Sequence, residues 1–370
     1  MDKLKLTIDG YKCFDKEREF NFNNITLLTG ANSAGKSSVI QSLILAKTLS
    51  ETIVDNPELE KIPIPLKNDK YAMDLGYFYD ISNDNRDVYD INFSLQGMSF
   101  GAKEEDNEED SDDVYFTITA SDRLSLKNMF LQGFTYLCAD RMAPHYEYKY
   151  IKDAITCDCH GKNTGDIINN NDFLFKTDPF RSINFTDDIK LRRQLNEWID
   201  YIFPGIEIEL EKGDKTYKIK DHDNAATNIG FGITYALPIL VSGLTVPKSG
   251  ILIVENPEAH LHAKAQSNMG YFLARMAAAG VRVIIETHSE HVVNGIRRMI
   301  VEGKTDMSHE DMTIYFFQNK NEKNGIKEIT MDEIGNLSEF PVDFFDQVRQ
   351  DMAELMKLER IRKGMKDGEW

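Results

Sequence analysis

Residues 30–38, with the sequence GANSAGKSS, have the types and the spacing of a loop that binds phosphate groups. They fit the pattern G-x-x-x-x-G-K-[ST], in which glycines let backbone N–H groups surround a phosphate and the lysine reaches the β- and γ-phosphates. The hydroxyl of Ser37 is the kind of ligand that holds Mg²⁺ in such a loop. The residues predicted to contact the nucleotide are Gly30, Asn32, Ser33, Ala34, Gly35, Lys36, Ser37 and Ser38.

The segments on either side of this loop have the character that a phosphate loop requires. An apolar run at 25–28 predicts a strand before it, and apolar residues at helical spacing from Val39 to Leu45 predict a helix to about Glu51. The start of that helix adds its positive end to the phosphate site. The sequence therefore predicts nucleotide binding, with ATP and Mg²⁺ as cofactors.

Two later segments each combine a buried strand with polar residues at its end. GILIVENPEAHLH (250–262) ends its apolar run in Glu255, a carboxylate that can hold Mg²⁺ directly or through water. IIETHSEH (284–291) ends in Thr287 and His288, and a histidine there can contact the γ-phosphate. We therefore predict Ser37 and Glu255 as the metal ligands.

A third segment, TNIGFGITYALP (227–238), is a glycine-rich turn that opens a helix, and helix starts of this kind bind anions. Along the chain, the glycine-rich segment precedes the strand that ends in Glu255, and the segment with His288 follows that strand. With this chain order, the four segments resemble the ABC/SMC class of ATPases. The resemblance implies an α/β fold: a P-loop NTPase of the ABC/SMC-head type, with a mixed central sheet, flanking helices and an inserted lid or arm region. Such heads pair with ATP between them, so the implied partner is a second copy of the chain, in a dimer or a higher oligomer.

The same resemblance implies roles for residues outside the phosphate loop. In this class the glycine-rich segment of one head meets the nucleotide of the other, which implies contacts from Gly230, Gly232 and Thr234. An aromatic and a basic residue near the first strand approach the nucleotide in SMC-type heads. Tyr11 and Lys12 match those positions loosely.

A closer resemblance is to bacterial AAA-family ATPases related to the OLD nucleases. Its motifs are ENPEAHLH (255–262), GFGITYALP (230–238), FPVDFFDQ (340–347), YLCADRMAPHY (136–146) and GKNTGD (161–166). Many relatives are the ATPase half of two-gene anti-phage systems such as Septu. The resemblance thus implies that nucleotide state controls a separate effector protein, for example a nuclease.

One departure from the ABC pattern bears on hydrolysis. Most ABC-type ATPases follow the acid at position 255 with a second carboxylate that polarises the attacking water, whereas this chain has Asn256. An amide orients water but does not accept its proton, which predicts slow hydrolysis. Glu258 either replaces the missing base or points into the dimer interface. The predicted catalytic set is Glu255, Asn256, Glu258 and His288.

Other functions stay open as alternatives. A nucleotide-bound scaffold without turnover fits Asn256, and a DNA-repair ATPase of the SMC type fits the resemblance. An OLD-type nuclease requires a Toprim domain with an Asp-x-Asp pair. No such pair follows His288, and the one at 221–223 precedes Glu255. We therefore expect no intrinsic nuclease activity.

Two motifs have the residue types of a metal site, and neither is predicted to be one. Glu258, His260 and His262 fit better as the loop after the strand. The run at 157–160 places one residue between its cysteines, which is poor chelating spacing, and no second pair exists. Arg141 is predicted either to contact phosphate or to form a lid salt bridge.

Charge and layout complete the expectations. The net charge of −18 argues against coating nucleic acid by bulk charge, although local basic clusters leave a local contact open. A chain without a signal-like start or a membrane-length apolar run is expected in the cytoplasm, away from membranes. The predicted organisation is an ATPase core at 1–50 and 225–320, an insertion at 51–224 with an acidic loop at 103–113, and a C-terminal hairpin and helix at 321–370. Within the insertion, 92–95 and 114–118 are expected to pair as a hairpin.

Overall fold

The computed structural model describes the whole chain except residues 108–110, 152–153, 172–176, 185–189, 223, 226, 228–229, 319–324 and 363–370. The strands are β1 (Leu4–Asp9), β2 (Arg18–Phe22), β3 (Ile25–Gly30), β4 (Lys61–Pro65), β5 (Lys67–Asn68), β6 (Met73–Asp74), β7 (Ile91–Leu95), β8 (Met98–Ala102), β9 (Asp113–Ile118), β10 (Phe134–Leu137), β11 (Tyr148–Lys149), β12 (Ile208–Lys212), β13 (Thr216–Asp221), β14 (Asn224–Ala225), β15 (Ile251–Glu255), β16 (Arg282–Glu286), β17 (Met312–Phe317) and β18 (Ile326–Ile329). The helices of the described residues are α1 (Lys36–Asp55), α2 (Phe78–Ile81), α3 (Ala120–Phe130), α4 (Thr164–Asn171), α5 (Leu191–Ile202), α6 (Phe231–Thr245), α7 (Ala263–Ala278), α8 (Glu290–Val301) and α9 (Gln347–Arg362).

The central sheet carries the predicted phosphate loop and both strands that end in an acid. Its strand order is β10-β15-β16-β3-β17-β18, and all neighbours are parallel except β17 and β18. The inner strands are apolar along their length because both faces are covered. Alternate residues enter two different cores: Leu252 and Val283 face the core with α6, α7 and α8, whereas Ile253 and Ile284 face the core with α1.

An antiparallel sheet covers the far side of α1. Its order is β2-β1-β7-β8-β9-β4. The predicted hairpin between 92–95 and 114–118 is wrong, because β8 lies between β7 and β9 and pairs with both. The β8 segment MSFGA contains Gly101, whose lack of a side chain weakens a strand pattern in the sequence. The acidic loop at 103–113 begins with a short 3₁₀ turn at 104–106, and its residues 108–110 lie outside the described part.

Several local predictions of secondary structure are confirmed. β1, β2 and β3 lie where the N-terminal alternation placed strands, and β12 pairs with β13 across the EKGD turn. β17 and β18 form the late hairpin. Apolar residues at helical spacing predict an amphipathic helix at 187–202, and α5 confirms it and buries Leu195 and Trp198. Its predicted first turn, including Ile189, lies outside the described residues.

The predicted division into core and insertion does not follow the sheets. β10, from the segment 51–224, is the edge strand of the central sheet and pairs with β15 from Phe134↔Ile251 to Leu137↔Val254. β1, from the predicted core, pairs instead with β7 of the predicted insertion. Segments on both sides of residue 50 therefore build both sheets, because strand pairing depends on tertiary position and not on order along the chain.

The C-terminal helix begins later than the sequence suggested. Charged, helix-type residues predict a start near Asp343, but α9 begins at Gln347. Asp343 and Phe345 have φ values of 65° and 55°, a left-handed conformation that interrupts a right-handed helix. Phe344 is buried against Phe316 of β17, and this contact anchors the turn to the central sheet. None of the helices in the described parts of the chain combines length with the apolar character that a membrane span needs.

Candidate active site

The phosphate-loop sequence lies between β3 and α1, in the predicted strand–loop–helix arrangement. Gly30 and Gly35 have φ values of 118° and 111°, which residues with a side chain rarely adopt. A Cβ at Gly30 would lie 2.1 Å from the carbonyl oxygen of Phe317. Asn32 and Ser33 are exposed at the tip of the loop, and Ala34 is partly covered. The glycines therefore let the loop turn tightly against β17 and expose its tip.

Lys36 starts α1 and folds back over the loop. Its ammonium group donates to the carbonyl oxygens of Gly30, at 3.2 Å, and Ala31, at 2.7 Å. It also lies 3.8 Å from a carboxylate oxygen of Glu286. Burial lowers the pKa of Lys36, and Glu286 opposes that shift. The lysine thus lies directly at the loop, where a bound phosphate would compete for its donors. Ser38, next to Ser37, is buried, and its backbone carbonyl oxygen accepts from Ser42 Oγ at 2.8 Å.

Glu286, which the sequence reasoning missed, lies closest to the loop among the acids of the site. It is the last residue of β16, and β16 is the direct neighbour of β3. Ser37 Oγ donates to Glu286 Oε2 at 3.4 Å. A hydroxyl and a carboxylate at this separation, beside the lysine, form a donor set suited to Mg²⁺. The sequence feature that indicates Glu286 is that the apolar run of β16, like that of β15, ends in an acidic residue.

Glu255 lies one strand farther from the loop. It is the register partner of Glu286 on β15, so β16 separates it from β3. Two neighbouring strand spacings amount to about 10 Å. Its oxygens accept from Tyr136 Oη at 3.0 Å and from the backbone N–H of Ala139 at 3.1 Å. The predicted pairing of Ser37 with Glu255 is therefore replaced, in the described contacts, by a pairing of Ser37 with Glu286.

Burial controls the electrostatics of both acids. Burial and the neighbouring charge of Glu255 together raise the pKa of Glu286 to about 7, although Lys36 and Ser37 oppose the shift. Burial also raises the pKa of Glu255, although Tyr136 and Ala139 oppose the shift. Two carboxylates side by side favour binding of a cation, because a cation relieves both the burial penalty and their repulsion.

The residue after Glu255 holds the strand ends together. Asn256 has φ 44°, and its N–H donates to the carbonyl oxygen of Glu286 at 2.8 Å. Arg141 is almost fully buried and donates to the carbonyl oxygens of Glu255, at 2.6 Å, and Asn256, at 2.7 Å. It also donates to those of Cys138 and Tyr235. These bonds correct both predicted roles of Arg141: they join β10, β15 and α6 through the backbone.

Glu258 positions the segment that contains His288. Its carboxylate accepts from Thr287 Oγ1 and from the backbone N–H of His288, both at 2.7 Å. Both carboxylate oxygens are thus engaged within the chain, and the placement of Glu258 in a dimer interface stays a prediction. The arrangement also differs from that of a base aimed at a water beside Glu255.

His288 itself is exposed and faces a cavity beside the loop. The cavity has a volume of about 360 Å³, and Gly30, Ala31, His288 and Phe317 contribute to its wall. Partial burial of the imidazole ring and the charge of Lys36 lower the pKa of His288. A neutral imidazole at this position can donate or accept a hydrogen bond with a phosphate oxygen. The structure therefore brings His288 together with Lys36, Ser37 and Glu286.

The glycine-rich segment opens α6, which packs against β10 and β15, and β16 lies between these strands and β3, the strand that leads into the phosphate loop. The segment itself packs on the loop after β15. Gly230 precedes α6 with φ 106°. A Cβ on Gly232 would lie 2.8 Å from the carbonyl oxygen of His260, so only glycine allows this approach. Thr234 is 9% exposed, and its hydroxyl donates to the carbonyl oxygen of Gly230 at 3.4 Å. Phe231 is 54% exposed at this surface.

Tyr11 and Lys12 lie beside α1 and differ in exposure. The ring of Tyr11 is fully buried against Phe93, so it offers no surface to a nucleotide. Lys12 donates to Gln41 Oε1 at 2.8 Å, and burial lowers its pKa. Cys13, the next residue, lies against the loop: a Cβ on Gly35 would be 2.6 Å from its sulfur.

The described contacts do not support a metal site formed by Glu258, His260 and His262 in the loop after β15. Glu258 binds the 287–288 segment, while His260 packs against the ring of Tyr235 at 4.5 Å. His262 accepts from the backbone N–H of Ala265 and so caps α7. In the described contacts, each of the three side chains has a different partner within the chain.

Comparison with known families gives two matches. The family described as "AAA domain, putative AbiEii toxin, Type IV TA system" matches residues 25–294, and a family described as a "Protein of unknown function (DUF3696)" matches residues 307–355. No curated protein matches the chain. The first match includes the loop, both acid-ended strands and His288.

Solved structures with a similar fold are heads of SMC proteins. An SMC head bound to the C-winged helix domain of ScpA has a TM-score of 0.50 and 11% identity, over 90% of this chain and 98% of its own. The SMC head domain of Thermotoga maritima has a TM-score of 0.43 and 14% identity, over 90% and 100%. An SMC head with an extended coiled coil, bound to the C-terminal domain of ScpA from Pyrococcus furiosus, has a TM-score of 0.48 and 12% identity, over 97% of this chain and 99% of its own. The fold is that of a P-loop ATPase of the ABC type, as predicted.

Proposed function

The chain belongs to the AAA-domain family whose description names a putative AbiEii toxin, and from this premise we propose that it binds ATP·Mg²⁺ at residues 30–38 and hydrolyses ATP slowly. We propose further that ATP pairs two copies of the chain and thereby controls a separate effector protein. The observation that carries the nucleotide site is the convergence of Lys36, Ser37 and Glu286 at the start of α1.

Each residue of the proposed site has a role that follows from its contacts. Lys36 moves from the loop carbonyls to the β- and γ-phosphates, where its charge is most useful. Ser37 and Glu286 hold Mg²⁺, and Glu255 adds negative charge on the far side of Glu286. His288 contacts the γ-phosphate from the neighbouring cavity.

Slow turnover follows from what surrounds the position of the attacking water. Asn256 supplies an amide where a general base would act, and Glu258 is held by Thr287 and the N–H of His288. Hydrolysis then depends on positioning and on charge stabilisation. The alternative, a nucleotide-bound scaffold without turnover, predicts no phosphate release above that of a site-dead variant.

Pairing of two copies rests on the surface at the start of α6. Gly232 lets the backbone of this turn approach the loop after β15, and Phe231 projects to solvent beside it. Because this segment lies away from the loop of its own chain, we propose that it meets the ATP of a second copy. The γ-phosphate then favours the closed pair, and hydrolysis releases it.

Nucleotide binding is tested with Lys36→Ala. Titration with a fluorescent ATP analogue and Mg²⁺ should show an affinity at least about 100-fold weaker than that of the unaltered chain. Lys47→Ala is the matched control, because Lys47 lies on the same helix about 16 Å away and pairs with Glu51. Equal affinity of Lys36→Ala and Lys47→Ala would contradict the assignment of the loop.

Pairing is tested by measuring the mass of the species in solution. A nonhydrolysable ATP analogue with Mg²⁺ should shift the chain to twice the mass found with ADP. Lys36→Ala should stay unpaired in both nucleotides. The same mass in ATP analogue and ADP would contradict ATP-dependent pairing while leaving nucleotide binding intact.

The effector is proposed to be a separate polypeptide, with a nuclease in anti-phage defence as the specific candidate. A chain of net charge −18 suits contact with a basic partner such as a nucleic-acid enzyme. The purified chain should then leave plasmid DNA and RNA intact with Mg²⁺, Mn²⁺ and ATP. Cleavage by the isolated chain that persists in Lys36→Ala would contradict a separate effector.

A further inference from the structure

Three potential metal ligands converge at the end of β10, outside the proposed nucleotide site. Cys138, Cys159 and His160 place one ligand atom each within 4.8 Å of one another. Cys138 Sγ lies 3.4 Å from His160 Nδ1. Both cysteines are buried, and the histidine is partly exposed. Two sulfurs and an imidazole nitrogen are the ligand types that zinc prefers.

No sequence motif joins these residues, because 20 residues separate Cys138 from the next ligand. The fold joins them through the backbone, since the N–H of Cys138 donates to the carbonyl oxygen of Cys159 at 3.0 Å. Cys157, which the sequence motif included, points away toward Thr164 and Pro238. The cluster therefore has three members from two distant segments, and only one of its cysteines belongs to the motif.

The segment that carries Cys159 and His160 is built as a rigid turn. Asp158 Oδ1 accepts from the N–H groups of His160, at 2.9 Å, and Lys162, at 3.2 Å, and its Oδ2 accepts from the N–H of Asn163 at 3.1 Å. Asn163 in turn donates to the carbonyl oxygen of Thr156. A fixed turn of this kind presents two adjacent ligands without a further ordering cost.

The separations fit a tetrahedral zinc ion. Zn–S bonds of about 2.3 Å and Zn–N bonds of about 2.0 Å, at the tetrahedral angle, put sulfur and nitrogen about 3.5 Å apart. The 3.4 Å between Cys138 Sγ and His160 Nδ1 matches this value. A simple hydrogen bond between thiol and imidazole gives a similar distance, but it does not require the second buried sulfur of Cys159 beside it.

We propose that Cys138, Cys159 and His160 bind one zinc ion, with a water molecule as the fourth ligand. The water has access from a cavity of about 450 Å³ whose wall includes Cys159 and His160. On binding, each thiol loses its proton to solvent and forms a Zn–S bond, and the two thiolates balance the charge of the dication. His160 Nδ1, now 2.6 Å from the carbonyl oxygen of Asp140, turns from this oxygen to the metal.

The position of the cluster suggests what the ion does. Cys138 lies between Tyr136 and Ala139, the two residues that donate hydrogen bonds to Glu255. Zinc would link this segment to the turn at 158–163 and so fix the donors that hold Glu255. This consequence for hydrolysis rests on the proposed ATPase function, whereas metal binding itself does not.

The first test is the metal content of the full chain, purified under reducing conditions without chelator. Mass spectrometry of the metals should find about one zinc ion per chain, and below about a tenth of that in Cys138→Ser and in Cys159→Ser. Cys157→Ser is the matched control, since it changes a buried cysteine in the same turn, and it should keep its zinc. Thermal melting identifies any variant that loses metal only because it unfolds.

The second test uses cobalt in place of zinc and reports on the ligands directly. Cobalt added to the metal-free chain should produce thiolate-to-cobalt charge-transfer absorption, which is lost in Cys138→Ser and retained in Cys157→Ser. His160→Ala should weaken cobalt binding at least about tenfold while leaving the fold intact. A metal-free chain that shows no cobalt–thiolate absorption, or a Cys138–Cys159 disulfide that forms even under reducing conditions, would overturn the proposal.

Discussion

The prediction that separates the two acids of the site is the effect of Glu286→Gln. Glutamine keeps the shape of the side chain and its ability to accept from Ser37, but it removes the charge. If Glu286 holds Mg²⁺, the variant loses a metal ligand beside the loop, whereas Glu255 remains in place on the next strand. The expected result is a large loss of Mg²⁺-dependent ATP binding and hydrolysis.

The magnitude follows from the competition between attraction and burial. At 3.8 Å, the attraction between Lys36 and Glu286 is about 4 kcal/mol at an effective dielectric constant of about 20. Burial nevertheless dominates, since the pKa of Glu286 is raised to about 7 and not lowered. The charge therefore adds little to the stability of the metal-free chain. The charge becomes favourable when a dication is bound beside it. Removing the charge should therefore lower the rate of hydrolysis about 100-fold, which corresponds to about 2.7 kcal/mol.

The assay measures phosphate release against Mg²⁺ concentration, together with thermal melting without Mg²⁺. Glu286→Gln should need at least about tenfold more Mg²⁺ for half-maximal activity, while its melting temperature stays equal or rises. Glu290→Gln is the matched control, because Glu290 lies four residues later and its carboxylate accepts from Asn294, on the exposed face of α8. The control should behave as the unaltered chain.

Two results would refute this reasoning. Glu286→Gln could retain the Mg²⁺ dependence of the unaltered chain while Glu255→Gln loses it, which would return the metal to Glu255. Alternatively, Glu286→Gln could unfold at a much lower temperature, which would make the contact with Lys36 structural.

Three further predictions address other parts of the site. Asn256→Glu should keep or raise the rate of phosphate release, because it adds a carboxylate at the proposed water-positioning site. A rate that collapses in Asn256→Glu but survives in Glu255→Ala would reverse the assignment. Arg141→Lys should lower the free energy of unfolding by about 3 kcal/mol in denaturant titration, because Arg141 donates four hydrogen bonds to backbone carbonyl oxygens. The control Arg193→Lys, at an exposed position, should change the free energy of unfolding by less than about 0.5 kcal/mol. Gly232→Ala should weaken ATP-dependent pairing without changing ATP affinity, because its Cβ would meet the carbonyl oxygen of His260 at 2.8 Å; unchanged pairing would remove this segment from the interface.

Local pattern was enough to predict the strand–loop–helix unit that carries Lys36. The apolar run before Gly30, the glycines and the apolar stripe of α1 all lie within one short stretch, so no tertiary information was needed. The same holds for the hairpin of β12 and β13, where a polar turn separates two alternating strands. Features of this kind are encoded by neighbours in sequence.

The features that could not be predicted from the sequence depend on which strands become neighbours in the fold. Glu255 and Glu286 both end apolar strands, and only the order β15-β16-β3 places Glu286 beside Ser37. Likewise, Cys138 meets Cys159 because β10 joins the edge of the central sheet. The late start of α9 has a local cause, but it required left-handed residues at 343 and 345 that composition does not reveal.

The most direct measurement is a structure of the chain with a nonhydrolysable ATP analogue and Mg²⁺. We predict Lys36 Nζ between the β- and γ-phosphates, and Mg²⁺ bound to Ser37 Oγ with Glu286 as the nearest carboxylate, directly or through one water. A nucleotide bound away from residues 30–38, or Mg²⁺ held beside Glu255 with Glu286 still against Lys36, would contradict the account.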